Sequence, residues 1–201
     1  MIKRNLLVMG LAVLLSACGF QLRGTGTSEL AIKELDLSAR NAYGETVTQL
    51  RQVLQSSGVK VYTGAPYKLV LTDEQESQRI LSYAGAGRTG EYQVTTVLNY
   101  DIRGAHDLPL MSDKLEVQKI FLHDGNNLVG SDQEASTAKV ETRRELVQRM
   151  MLRLSQLTPT QLDQLQQTAD AKAKAEAQAL EAAQKAEAET PRQSPVQIPQ
   201  Q

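Results

Sequence analysis

The chain has 201 residues, a formal net charge of −1 and one cysteine. Its 22 lysines and arginines nearly balance its 23 aspartates and glutamates, which argues against the strongly basic surface of a nucleic-acid-binding protein. A single cysteine cannot form a disulfide within the chain, so an apolar core must stabilise the fold.

Residues 1–17 have the features of a secretory signal peptide. Lys3 and Arg4 precede an apolar run, residues 6–15, which is too short for a membrane-spanning helix of roughly 20 residues. Small residues then lead to Cys18, where cleavage is expected. The pattern resembles the lipobox of bacterial lipoproteins, in the order Leu14-Leu15-Ser16-Ala17-Cys18. The alternative to a lipoprotein signal is an ordinary signal peptide followed by a free thiol.

The lipobox resemblance implies that Cys18 is the lipidated N-terminus of the mature chain. In that family the thiol carries a diacylglyceryl group and the new amine is acylated. One acyl chain binds a membrane only marginally, whereas several on one residue hold it almost irreversibly. Gly19 follows where retained inner-membrane lipoproteins have aspartate, which implies the outer membrane. We therefore predict a lipidated N-terminus and tether in residues 18–28.

Alternation and helical spacing predict an α/β domain in residues 29–165. Polar and apolar residues alternate along Tyr92–Arg103, with only Val97 out of the pattern, which predicts a long amphipathic strand. A polar segment, residues 73–78, continues a preceding strand or forms a solvated loop. Two other predicted strands are Ala31–Leu37 and Lys114–Leu122. A further strand begins at Val59–Tyr62, is interrupted by Gly64 and Pro66, and resumes at Tyr67–Tyr83; the predicted helices are Ala42–Ser57 and Ser131–Gln156.

These elements predict the α+β class. Two helices with apolar stripes need a sheet face to cover, so we expect a two-layer sandwich. The predicted sheet is mixed and four-stranded, in the order β-α-β-β-β-α, with its second face exposed. Residues 166–201 form an Ala/Glu/Gln/Lys tract, which we predict to be at most transiently helical and undocked, followed by a Pro/Gln-rich end from Pro191 that we predict to be disordered.

The sequence gives no indication of catalysis, and we predict no enzyme, no cofactor and no metal site. His106 and His123 lack ligand spacing and are interpreted as surface turn residues. Gly85–Gly90 matches G-x-G-x-x-G, but a strand pattern follows where a dinucleotide site requires a helix. The exposed sheet face is either simply solvated or a surface for a partner.

Two short motifs resemble the family of LPS-assembly lipoproteins called LptE. Cys18–Gly24 resembles the family's opening of cysteine, glycine, aromatic, any residue, leucine and arginine. Thr89–Gln93 resembles its glutamate-tyrosine segment at the start of a long strand. The order of strands and helices also agrees, so the resemblance covers about residues 18–156.

The resemblance implies a non-enzymatic protein at the periplasmic side of the outer membrane. Family members plug the lumen of the β-barrel LptD, help it to assemble and bind lipopolysaccharide. Arg88 corresponds to a basic residue of the family's lipopolysaccharide-binding loop, and Gly130 stands where a second basic residue precedes the last helix. The alternative is a lipoprotein adaptor of another envelope machine that docks proteins only. No nucleic-acid partner is expected.

Overall fold

The computed structural model describes residues 30–84 and 89–189, which contain a five-stranded sheet and three α-helices. A single turn of 3-10 helix, Ala105–Asp107, connects the last two strands. In chain order the elements are β1 (Glu34–Ala39), α1 (Glu45–Ser56), β2 (Lys60–Val61), β3 (Lys68–Ala84), β4 (Thr89–Arg103), β5 (Pro109–Asp124), α2 (Leu128–Ser155) and α3 (Pro159–Glu189).

The sheet is mixed and has the strand order β2-β1-β3-β4-β5. β1 runs parallel to both β2 and β3, whereas β3, β4 and β5 form antiparallel pairs. Residues 73–78 lie within β3 and pair with β4, so the strand interpretation of this polar segment is confirmed. The predicted α+β class is also confirmed.

Alternate residues of β4 enter the core, as their period of two predicts. Leu98, Tyr100 and Ile102 are each at most 1% exposed. They share one apolar cluster with leucines of the two predicted helices, among them Leu50, Leu54, Leu146 and Leu154. The helices therefore cover one face of the sheet. The opposite face of β3, β4 and β5 is called the open face below.

The predicted strand count of four is wrong by one. Gly64, which has a φ of +88°, and Pro66 separate the short β2 from β3 instead of interrupting one strand. β2 has only two residues, and they pair with Glu34 and Leu35 of β1. A hydrogen bond from the Gly64 amide to the Asp36 carboxylate, 3.1 Å, holds the turn that follows β2.

The prediction that nothing beyond residue 165 docks is wrong for the first residues of the tract, and α3 continues through the tract to Glu189. Leu162 is 1% exposed, and Leu165 and Ala169 also pack against the core at helical spacing. The backbone N–H of Ala105 donates to Oε1 of Gln166 at 3.0 Å. Beyond residue 170 the side chains are almost all exposed. High helix propensity and this short apolar stripe explain the difference.

Several predicted segments lie outside the described residues. These are the signal peptide (1–17), the tether (18–28) and the Pro/Gln-rich end of the tail. Within residues 30–84 and 89–189, no helix combines the length and the apolar character needed to cross a bilayer.

Candidate functional site

A row of hydrogen-bonded polar side chains crosses the open face. Nε of Arg79 on β3 donates to Oε1 of Gln93 on β4 at 2.6 Å. The amide of Gln93 donates to Gln118 on β5, and Nε2 of Gln118 donates to Glu116 at 2.6 Å. We call these four residues the polar ladder. It joins three strands through side chains in addition to the backbone.

The polar ladder buries a glutamine on a face with no apolar cover. Gln93 is only 5% exposed, although it points away from the helices. The alternation of β4 predicts this orientation, but not its burial, which depends on Arg79 and Gln118 from neighbouring strands. Because the ladder partners satisfy the Gln93 amide, its burial carries no large desolvation cost. The ladder therefore keeps the open face polar and locally rigid.

Large apolar side chains are exposed where the β3–β4 hairpin, the end of β5 and the start of α2 come together. Val129 is 82% exposed, Tyr83 65%, Leu122 62% and Ile120 59%. We call the group the hairpin-end patch: Ile80, Leu81, Tyr83, Ile120, Leu122, Leu128 and Val129. The strand register places Ile120 and Leu122 on the open face, whereas Ile80 and Tyr83 lie on the helix side, so the patch is spread over both faces of this end of the sheet. Exposed apolar residues of this kind are typical of a binding surface. Ile120 and Leu122 alternate with buried Phe121, which is the sequence signal that could have indicated it.

Ion pairs stabilise the C-terminal end of β4, which lies at the opposite end of the strand from the β3–β4 hairpin. Arg103 contacts Asp101 at 3.1 Å and Asp107 at 2.8 Å, and Lys68 contacts Asp107 at 3.3 Å. Hydrogen bonds from Arg103 and then from Lys68 lower the pKa of Asp107. His106 and Asp107 have φ values of 59° and 58°, which are unusual for residues other than glycine. The ion pairs hold this turn in its left-handed conformation.

A cleft lies beside the start of α1. It has a volume of about 610 Å³ and is lined by residues that include Glu45, Thr46, Glu74 and Arg143. Arg143 pairs with Glu45, and the Thr46 hydroxyl donates to Glu74 at 2.6 Å. These charged and polar groups satisfy one another, so the cleft is interpreted as part of the packing between α1, β3 and α2.

Both residues predicted to carry function, Cys18 and Arg88, lie outside the described residues. Arg88 immediately precedes Thr89, which pairs with Ala84 at the end of the β3–β4 hairpin. Gly130 was expected to precede the last helix, but it lies in the first turn of α2. Its amide donates to Oδ1 of the N-cap residue Asn127 at 3.1 Å.

Neither histidine belongs to a candidate metal site among the described residues. His106 is in the connection between β4 and β5, and the His123 ring lies 4.8 Å from the ring of Tyr92. Among the described residues, no group of three or more histidine, cysteine or acidic side chains could hold a metal ion.

Comparison with known proteins identifies relatives along most of the chain. The family model described as "LptE: Lipopolysaccharide-assembly" matches residues 32–154, more than half of the chain. The LPS-assembly lipoprotein LptE of Pectobacterium atrosepticum is 29% identical over 162 residues, which cover 77% of this chain and 86% of that protein. The LptE of Photorhabdus laumondii is 28% identical over 154 residues, covering 74% and 83%.

Solved structures share the fold. The crystal structure of rare lipoprotein B from Shewanella oneidensis superposes with a TM-score of 0.55 at 20% identity, covering 61% of this chain and 93% of that one. The solution structure of lipoprotein B from Nitrosomonas europaea gives a TM-score of 0.55 at 21% identity, covering 69% and 89%. The matched residues of the family model extend from just before β1 to the last turn of α2. The chain belongs to the LptE family of lipopolysaccharide-assembly lipoproteins.

Proposed function

We propose that this chain is an outer-membrane lipoprotein that plugs the LptD barrel, helps it to assemble and binds lipopolysaccharide on its way to the outer leaflet. The observation that carries the proposal is the family match, which covers the sheet and both helices of the predicted sandwich. Its role is non-enzymatic.

The open face is suited to the interior of a membrane barrel. Barrel lumens are polar, because alternate residues of each strand face inward to water. The polar ladder presents amide and charged groups there, flanked by Ser77, Thr95 and Asn99 on the same face. Such a surface can exchange its hydrogen bonds to water for hydrogen bonds to lumen side chains when it enters the barrel.

Copurification tests the barrel partnership. The tagged full chain, expressed with LptD and extracted in detergent, should elute with the barrel as a stable complex. The adaptor alternative predicts instead a soluble or inner-membrane partner. A chain that elutes free of LptD, while folded by circular dichroism, would contradict the plug proposal.

Membrane attachment through Cys18 completes the proposed location. Mass spectrometry of the mature protein should find an N-terminal Cys18 that carries acyl chains. Cys18→Ala should abolish acylation and leave the thermal midpoint unchanged, because residue 18 precedes the whole described fold. If the barrel holds the plug, the unlipidated chain directed to the periplasm should still bind LptD. An unmodified thiol, or a mature N-terminus elsewhere, would contradict this part of the proposal.

The lipopolysaccharide contact is proposed at Arg88 and the hairpin-end patch. A guanidinium binds phosphate through two parallel charge-assisted hydrogen bonds, and lipid A presents phosphates. Tyr83, 65% exposed on the helix side of the same hairpin, offers apolar surface for acyl chains.

A charge series separates this contact from general electrostatic attraction. Arg88→Ala should weaken binding to purified lipopolysaccharide by about ten- to a hundredfold, and Arg88→Glu should weaken it more. Arg40→Glu is the matched control, because the side chain of Arg40 is 80% exposed and lies at the other end of β3, against Asp73. Equal losses for Arg40 and Arg88 variants would contradict a specific site.

A further inference from the structure

The two edges of the sheet differ sharply. One edge is β2, which has two residues, and the other is β5, which has sixteen. A long edge strand presents a row of unpaired N–H and C=O groups, which another extended chain can join. The exposed edge of β5 is therefore the place in this fold where strand addition is geometrically open.

Side chains cap the outer edge of β5 at both ends. The backbone groups of its even-numbered residues point away from β4, since those of Lys114, Glu116 and Asp124 bond groups outside the ladder and orientation alternates along a strand. The Lys114 amide donates to the Asp113 carboxylate at 2.8 Å, and Arg149 of α2 donates to the Glu116 carbonyl at 2.7 Å. At the other end, the Ser131 hydroxyl accepts from the Asp124 amide at 2.7 Å.

Between these caps lie Gln118, Ile120 and Leu122, and we call these three residues the window. Within the described chain, no side chain or neighbouring backbone binds the outward amides and carbonyls of these three residues. Ile120 and Leu122 are 59% and 62% exposed on the open face beside them. Natural edge strands are usually protected by charge or by cover, and the window has neither on its open side.

On the helix side, the window borders a polar groove. The groove has a volume of about 540 Å³, and its lining includes Lys119 of β5 with Arg144 and Leu152 of α2. Lys119 pairs with Glu141 at 3.2 Å and Arg149 with Glu145 at 2.6 Å. Arg144 has no ion-pair partner within the described chain, so the groove has an excess positive charge.

We propose that the window binds an extended segment of a partner protein by strand addition. The open face and the helix-side groove, one on each side of the edge, specify the chemistry of the partner segment. Apolar residues at every second position would pack beside Ile120 and Leu122 on the open face. The intervening residues would be polar, with a carboxylate facing Arg144 in the groove. The partner segment is thus an amphipathic strand with acidic residues on its polar side.

A second copy of this chain does not fit the same edge. α2 packs over β5 itself, and paired strands lie only about 4.8 Å apart. Two packed helices need about 8–10 Å between their axes. Antiparallel pairing of β5 with its copy would bring the two α2 helices closer than that, whereas a bare strand carries no helix above it.

The test uses a short capped peptide that alternates valine with glutamate and threonine, added to the full chain in detergent. Amide hydrogen exchange should slow at Gln118, Ile120 and Leu122. The same peptide methylated at every backbone nitrogen should give no protection, because it has no donors. Ile120→Pro, which removes the central outward N–H, should weaken binding by about tenfold.

Leu180→Lys is the matched control for Ile120→Lys, because the two side chains are 61% and 59% exposed. Only Ile120→Lys should weaken peptide binding, and both variants should keep the parent thermal midpoint. Unchanged exchange at the window with the alternating peptide would overturn the proposal, as would equal effects of the two lysine variants. Dimers in sedimentation that Ile120→Lys dissociates would also overturn it, in favour of a second copy.

Discussion

The start of α3 should contribute strongly to stability, whereas its long remainder should contribute almost nothing. Leu162 is 1% exposed and belongs to the main core cluster. Leu162→Ala should therefore lower the free energy of unfolding by about 2–5 kcal/mol, through lost burial and the cavity left behind. Deletion of residues 171–201 should change it by less than about 0.5 kcal/mol, because the removed side chains described in the structure are almost all exposed.

Urea denaturation followed by circular dichroism at 222 nm measures both effects. Leu162→Ala should shift the midpoint downward by about 1–2 M with little change in the native signal. The deletion should do the opposite: the helical signal falls, since the exposed part of α3 is lost, and the midpoint stays. A midpoint lowered as much by the deletion as by Leu162→Ala would refute the assignment of docking to the first turns of α3.

Three further predictions concern the core, a cap and pH. Leu98→Ala should lower the free energy of unfolding by about 2–5 kcal/mol in the same urea assay, because Leu98 is fully buried. Asn127→Ala should cost about 1 kcal/mol and Asn127→Asp much less, because only the former removes the N-cap oxygen of α2. Hydrogen bonds from the Lys114 amide and then from Arg153 lower the pKa of Asp113. The resulting stabilisation is present above about pH 4 and is lost as the pH falls further, so the stability difference between the parent and Asp113→Asn should shrink below about pH 4.

The strongest sequence patterns predicted their structures because they depend on local geometry. A period of two along Tyr92–Arg103 places Leu98, Tyr100 and Ile102 on one side of a strand whatever its neighbours are. The spacing of Val47, Leu50 and Leu54 similarly defines one face of α1. The lipobox that ends at Cys18 and the motif after Arg88 indicated the family, which the comparisons confirm. The roles of these two residues stay predictions.

Other features depend on contacts between distant segments, which a periodic pattern does not contain. In the sequence, Gln93 is one of several outward-facing polar residues of β4. Its burial depends on Arg79 and Gln118, which bond it from adjacent strands. The predicted domain ends at Leu165, but Gln166 and Ala169 dock as well, because the fold presents surface next to them. The sequence by itself thus determined the elements and their buried faces. Only the tertiary structure decided the strand order, and with it which strand has a free edge, because pairing over long sequence separations depends on packing of the whole domain.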